Sequence, residues 1–212
     1  MSQWMTFLGG VHSGKTDLAH EICRDVENVV WWGTASEVAQ DADWQQRLAH
    51  LRARRKPSWQ TMDGPWAWPP APGSDADGRA KNCPLFVFDS LNLWLAAHIH
   101  KSISLYSLPQ LKTHLEMEFT QLMDSLKALR CPVLIISAEV GWGVVPSGET
   151  GRVFRDLLSA WNRTFVAHSH HGVTVQAGRA FAWPGGLSAL PAEGAPVRCL
   201  DARALARLLA LV

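Results

Sequence analysis

The run Gly9-Gly10-Val11-His12-Ser13-Gly14-Lys15-Thr16 constrains this chain more than any other stretch. It has the form G-x-x-x-x-G-K-[ST], a P-loop whose successive backbone N–H groups cradle phosphate. Its flanks agree with that reading. Trp4-Met5-Thr6-Phe7-Leu8 is a short apolar run suited to a buried strand, and Asp17 to Ile22 continues as a helix with Leu18 and Ile22 on one face. Strand, loop and helix in that order bring the positive end of the helix dipole to the phosphates. Gly9, Gly10, Val11, His12, Ser13 and Gly14 are therefore candidate nucleotide-binding residues. Lys15 would reach the β- and γ-phosphates, and the Thr16 hydroxyl would bind Mg²⁺.

The rest of the chain alternates strands and helices. Val29-Val30-Trp31-Trp32 reads as a second strand, ending in the small turn Gly33-Thr34-Ala35-Ser36. Asp41 to about Arg55 reads as a helix, with Trp44, Leu48 and Leu51 on its buried stripe. Asp43, Arg47, His50 and Arg54 gather on its opposite face. From Met62 to Pro84 the pattern fails among prolines and glycines, which predicts a long irregular excursion. Leu85-Phe86-Val87-Phe88 is a buried strand closed by Asp89. That is the Walker-B form, in which the carboxylate helps hold Mg²⁺, and a helix cap by Asp89 or Ser90 is compatible with it. Helices are expected from Leu91 to about Ile99, from Pro109 to Leu129 and within Gly148 to His168. Strands are expected over Pro132–Ser137 and Gly172–Gln176. A last short helix, capped by Asp201, is expected to run to Leu211.

This order predicts an α/β fold, a mostly parallel sheet with helices on both faces, of the P-loop NTPase (RecA-like) kind. Residues 1–212 are read as one nucleotide-binding domain, with the irregular insertion at 62–84 and a tail at 180–212. The P-loop, Asp89 and Glu139 all fall at the C-terminal ends of strands, where open α/β sheets bind ligands.

Bulk properties exclude several classes. Lys+Arg 20 against Asp+Glu 19 leaves a net charge of +1, with no general attraction for nucleic acid or an acidic membrane. Arg52-Ala53-Arg54-Arg55-Lys56 is better suited to phosphate handling or a solvated face. Cys23, Cys83, Cys131 and Cys199 are widely spaced and fit a reduced, cytoplasmic protein. No signal peptide is read at the N-terminus, and no apolar run approaches the roughly 18 residues of a membrane span. Eleven tryptophans stand against one tyrosine. Those in loops suit a large ligand, a partner subunit or simple packing. His168-Ser169-His170-His171 has no nearby Cys or carboxylate to complete a metal site.

Several blocks together resemble the bifunctional adenosylcobinamide kinase / adenosylcobinamide-phosphate guanylyltransferase family of cobalamin biosynthesis. The P-loop is similar to the family's G-G-x-R-S-G-K-[ST], and Trp32-Gly33-Thr34-Ala35 to its Y-[IV]-A-T-A turn. Arg47-Leu48-Ala49-His50 with Arg55, Trp59 and Thr61 resembles R-I-x-H-x(4)-R-x(3)-W-x-T. Asp89-Ser90-Leu91-Asn92-Leu93-Trp94-Leu95 resembles D-C-L-T-L-W-L. Glu139 to Pro146 is nearly E-V-G-x-G-I-V-P, and Phe154-Arg155-Asp156 with Asn162 resembles F-R-D…N-Q. The resemblance covers about residues 4–61 and 85–178.

It implies two reactions. The γ-phosphoryl of ATP or GTP passes to the hydroxyl of adenosylcobinamide. GMP from GTP then passes to that phosphate through a guanylylated histidine, which by position is His50. Thr34, Ala35 and Ser36 of the turn join the P-loop as candidate nucleotide-binding residues, with Mg²⁺ expected on Thr16 and Asp89, and Arg47, Arg54 and Arg55 near His50 could offset charge on the triphosphate and the leaving pyrophosphate. The resemblance also implies that the protein is a homotrimer. Lys15 and Glu139 complete the catalytic candidates. Glu139 has two readings, binding ribose or metal, or serving as base for the substrate hydroxyl. His12 stands where the family has arginine, Ala138 where it has asparagine, Leu51 where a basic residue follows the histidine, and Arg163 where glutamine follows Asn162. His170-His171 replaces an Asp-Glu pair. Another P-loop small-molecule kinase, or a nucleotide-binding relative without catalysis, are the competing functions.

Overall fold

β1 (Trp4–Gly9) is the hub of the sheet, pairing in parallel with β5 (Val133–Ala138) on one side and β6 (His171–Gln176) on the other. Five of its six residues are buried, as the apolar run requires. The structure is a computed structural model, and residues 3–35, 42–67, 85–184 and 198–209 are described. The remaining strands are β2 (Val29–Gly33), β3 (Gln60–Asp63), β4 (Leu85–Asp89), β7 (Arg179–Pro184) and β8 (Arg198–Leu200). They form one eight-stranded sheet in the order β3-β2-β4-β5-β1-β6-β7-β8. All strand pairs from β3 to β6 are parallel, whereas β7 and β8 are antiparallel additions. β5 thus lies between the P-loop strand β1 and the Asp89 strand β4.

The described helices are α1 (Lys15–Cys23), α2 (Ala42–Ala53), α3 (Leu91–Ser102), α4 (Leu108–Ala128), α5 (Glu149–His168) and α6 (Ala202–Leu208). α4 buries Leu111, Leu115, Phe119, Leu122 and Leu126, the stripe its spacing predicts. It starts in a capping box between Ser107 and Gln110, with Pro109 in its first turn. α3, α4 and α5 cover one face of the sheet, where Trp94, Phe119, Trp161 and Phe165 pack against Phe86 and Phe88. α1 and α6 cover the other, with Ile22 and Leu205 against Phe7, Val87 and Ile136. Asp201 caps α6 by accepting from Ala204 N–H at 2.7 Å.

Two expectations change. The irregular stretch does not begin at Met62, because Met62 and Asp63 close β3, pairing with Trp32 and Gly33 of β2. Gly64 to Ala67 follow β3 outside any strand or helix, and residues 68–84 of that stretch, like residues 185–197 of the tail, lie outside the described residues. The tail beginning at 180 enters the sheet as β7 and β8. Within α2 the side chains of Asp43, Trp44 and Arg47 lie outside the described set. Leu48 is buried, and Leu51 is half-buried. No described helix is long and apolar enough to cross a membrane. Cys23 and Cys131 are buried and Cys199 is exposed, none of the three in a disulfide, and Cys83 lies outside the described residues.

Candidate active site

The P-loop takes its shape from two residues in the left-handed backbone region, His12 (φ 58) and Gly14 (φ 99). Set two apart, they turn the intervening N–H groups to one side, as a concave anion nest requires. For His12, which carries a Cβ, that conformation costs on the order of 1 kcal/mol. Lys15 Nζ sits in the ring of the loop, donating to Gly9 O at 2.8 Å, Gly10 O at 2.7 Å and Ser13 Oγ at 3.3 Å. The loop is braced from the far side by the β6–β7 hairpin, where Gly178 N–H donates to Ser13 O at 2.9 Å. A Cβ on Gly9 would lie 2.2 Å from Val175 O, so that position admits only glycine.

Thr16 opens α1 and points its hydroxyl at the end of β4, with Oγ1 3.5 Å from Asp89 Oδ1. Burial raises the Asp89 carboxyl to about 6, opposed by the charge of Arg55, the Thr16 hydroxyl and Lys15. A hydroxyl and a carboxylate side by side are hard oxygen donors of the kind Mg²⁺ takes.

Opposite the P-loop stands the C-terminal end of α2. Together they enclose a cleft of ≈ 460 Å³ lined by residues 11–16, Ala35, His50, Leu51, Arg52, Arg54, Arg55, Asp63, Asp89 and Asn92 among others. His50 is exposed at its mouth. Arg54 is ion-paired with Asp17 of the P-loop helix. Arg55 donates to Asp63 Oδ1 at 2.9 Å, and Arg52 Nε lies 3.3 Å from Asp63 Oδ2. Arg55 lies across Gly33, which pairs with Asp63 on one side and Asp89 on the other. A Cβ on Gly33 would come within 2.4 Å of Arg55 Nη2.

Not every candidate reaches the cleft. Thr34 is fully buried beneath it. Its N–H donates to Asp89 O, its hydroxyl donates to Ser90 O at 2.6 Å, and it accepts from Ser90 N–H at 2.8 Å. It therefore braces the β4 end. Glu139 follows β5, and its N–H donates to Gly9 O at 3.0 Å, beside the P-loop. Its carboxylate Oε1 accepts from Val140 and Gly141 N–H, both at 3.1 Å, and so caps its own loop. Ser36 lies outside the described residues.

Other residues are significant that spacing did not single out. Asp63 emerges only because β3 forms. His20 is buried on α1, its ring stacked on Trp31 at 4.3 Å and Trp59 at 5.8 Å. Burial and the charges of Arg54 and Arg55 lower its pKa to about 4, against a smaller opposing effect of Asp17. Ala138 is held from both sides, since its N–H donates to Asn92 Oδ1 at 3.1 Å and its carbonyl accepts from Asn162 Nδ2 at 3.0 Å. Asn162 fits the F-R-D…N block, but only the fold shows what it grips.

A phosphate nest with its lysine, a Thr–Asp oxygen pair and a histidine at the mouth of the same cleft are the parts of a nucleotide-transfer enzyme. Sequence comparison agrees. The model of the family CobU, cobinamide kinase / cobinamide phosphate guanyltransferase, matches residues 5–182. The chain is 33% identical over 167 residues to the bifunctional adenosylcobalamin biosynthesis protein CobP of Pseudomonas aeruginosa, covering 79% of this chain and 88% of that protein. The chain therefore belongs to the cobinamide kinase / cobinamide phosphate guanyltransferase family, bifunctional enzymes of cobalamin biosynthesis.

Proposed function

We propose that this enzyme phosphorylates adenosylcobinamide with ATP or GTP, then converts the phosphate to adenosylcobinamide-GDP through a guanylyl-histidine on His50. The observation that carries this reading is that His50 and the P-loop line one cleft. In the first reaction the substrate hydroxyl oxygen bonds to the γ-phosphorus, and the nucleoside diphosphate leaves. Lys15 and the loop N–H groups hold the polyphosphate in line. Thr16 and Asp89 are the residues that would hold Mg²⁺, which when bound neutralises charge on the β- and γ-phosphoryl oxygens.

In the second reaction an imidazole nitrogen of His50 bonds to the α-phosphorus of GTP, and the bond to pyrophosphate breaks. A phosphate oxygen of adenosylcobinamide phosphate then attacks that phosphorus, the P–N bond breaks, and free His50 returns. Arg52, Arg54 and Arg55 line the same cleft and would offset charge on the triphosphate and on departing pyrophosphate. Glu139 holds its loop beside Gly9, and to bind ribose or metal, or to serve as base to the attacking hydroxyl, its carboxylate would have to leave the Val140 and Gly141 N–H groups. We further place the enzyme in the cytoplasm, where GTP is held, as a homotrimer. Light scattering should give three times the chain mass, and a monomer would contradict this.

The test of function is turnover. Purified protein with Mg²⁺, GTP and adenosylcobinamide should yield both the phosphate and the GDP-linked corrinoid by mass spectrometry. Product at the phosphate stage alone would reduce the reading to a kinase without guanylyl transfer. Bound GTP with no product would contradict both.

A further inference from the structure

The loop from Glu139 to Ser147 displays apolar side chains that the fold does not use. Trp142 is 84% exposed, Val144 96% and Val145 60%, and Val11 of the P-loop is 77% exposed. The loop is held without them. Glu139 Oε1 binds its first two N–H groups, and Arg152 Nη1 donates to Pro146 O at 3.1 Å and Ser147 O at 2.6 Å at its far end. Both ends fixed by polar bonds, with bulky apolar groups facing water between them, is the arrangement of a contact surface.

Its position says what it contacts. β1 and β5 run side by side, Gly9 pairs with Ala138, and Glu139 N–H donates to Gly9 O at 3.0 Å. The loop therefore rises beside the P-loop, on the other side of it from the β6–β7 hairpin. A nucleoside triphosphate is met by the polar groups of the cleft and has no need of this rim. An acceptor with a hydroxyl on a flexible arm and a broad apolar body does need one, so that the arm can reach the phosphate while the body is held outside.

The geometry points to Trp142, Val144 and Val145, with Val11, as the platform on which the corrinoid macrocycle rests during phosphoryl transfer. This rests on the corrinoid reading above. Trp142 supplies a flat face for the ring, and the two valines supply its edge. Both act on substrate binding rather than on the reacting phosphorus.

The test uses the full chain with Trp142→Ala, Trp142→Phe and Val144→Ser. The KM for adenosylcobinamide is measured at saturating GTP, and cobinamide binding by equilibrium dialysis followed through its visible absorbance. Trp142→Ala should raise KM and weaken binding about tenfold, with kcat changed by less than about threefold. Trp142→Phe should recover most of the loss, and Val144→Ser should lose less. Melting temperature and solution mass should match wild type. An unchanged KM in Trp142→Ala, with a wild type that turns over corrinoid, would overturn the platform alone. A fall in solution mass on Trp142→Ala would assign the loop to a subunit interface and overturn it equally. A wild type that neither binds nor phosphorylates cobinamide would remove the underlying reading as well.

Discussion

Thr16 Oγ1 and Asp89 Oδ1 lie 3.5 Å apart although the strands that deliver them, β1 and β4, are not neighbours. β5 separates those strands, and the first turn of α1 crosses it. The two oxygens meet only because the P-loop ends where α1 can lean over β5. Asp89→Asn should therefore lower corrinoid phosphorylation roughly 100-fold, and Thr16→Ala by less, both with a raised Mg²⁺ requirement. Steady-state rates over a Mg²⁺ titration check this. A wild-type Mg²⁺ response in Asp89→Asn would remove the carboxylate from the metal site.

The P-loop depends on a strand that follows it by more than 160 residues. Gly9 approaches Val175 O so closely that a methyl group would sit 2.2 Å from that oxygen, a backbone atom with no freedom to turn aside. Gly9→Ala should destabilise the fold by about 1–3 kcal/mol. It should weaken GTP binding more than tenfold, because Ser13 and Gly178 lose their register. Urea denaturation and GTP titration read the two effects separately. Loss of stability with intact GTP affinity would show that the loop keeps its shape without the hairpin.

That hairpin also marks where the sequence stops being legible. β1, β2, β4 and β5 are buried runs of Val, Ile, Leu, Phe and Trp, and their apolar character alone identifies them. β3 reads Gln60-Thr61-Met62-Asp63, mostly exposed, and forms because β2 offers it an edge. Without β3 the partner of Arg55 was invisible. β7 alternates small and aromatic residues, and its turn, Ala177 (φ 49) and Gly178 (φ 74), lacks the Asn-Gly or Asp-Gly that announces a hairpin. Trp183 of β7 packs where a Cβ of Gly172 would stand, a fit visible only in space. Of the candidate site, the P-loop, Asp89 and His50 follow from spacing and resemblance. Thr34 as a brace and the Asn92–Ala138–Asn162 clamp do not, since each joins segments distant in sequence.

Buried histidines make stability depend on pH. His20 is held neutral on Trp31, its pKa lowered to about 4 by burial and by Arg54 and Arg55. His98, between Trp66 and Trp94, is lowered to about 4 by burial, Lys101 and His114, against a bond to Pro65 O. An unfolded histidine takes up its proton near 6.5, so between 6.5 and 4 the unfolded chain binds protons that the folded chain does not. Stability is therefore full above 6.5 and falls as pH drops through that window, by up to about 3 kcal/mol for each histidine at pH 4. His20→Phe keeps a ring in the stack and removes its share. Urea midpoints of variant and wild type should diverge progressively below pH 6.5, and parallel curves would contradict a neutral, buried His20.

The cleft brings the P-loop and His50 together, and covalent capture of GMP tests that pairing most directly. Protein incubated with Mg²⁺ and α-labelled GTP should retain label after denaturation in alkali and release it in acid, as a phosphoramidate does. His50→Ala should retain none, while still binding GTP through Lys15 and the loop. Label persisting at the wild-type level in His50→Ala, or a wild type that makes the GDP-linked corrinoid without ever becoming labelled, would contradict it.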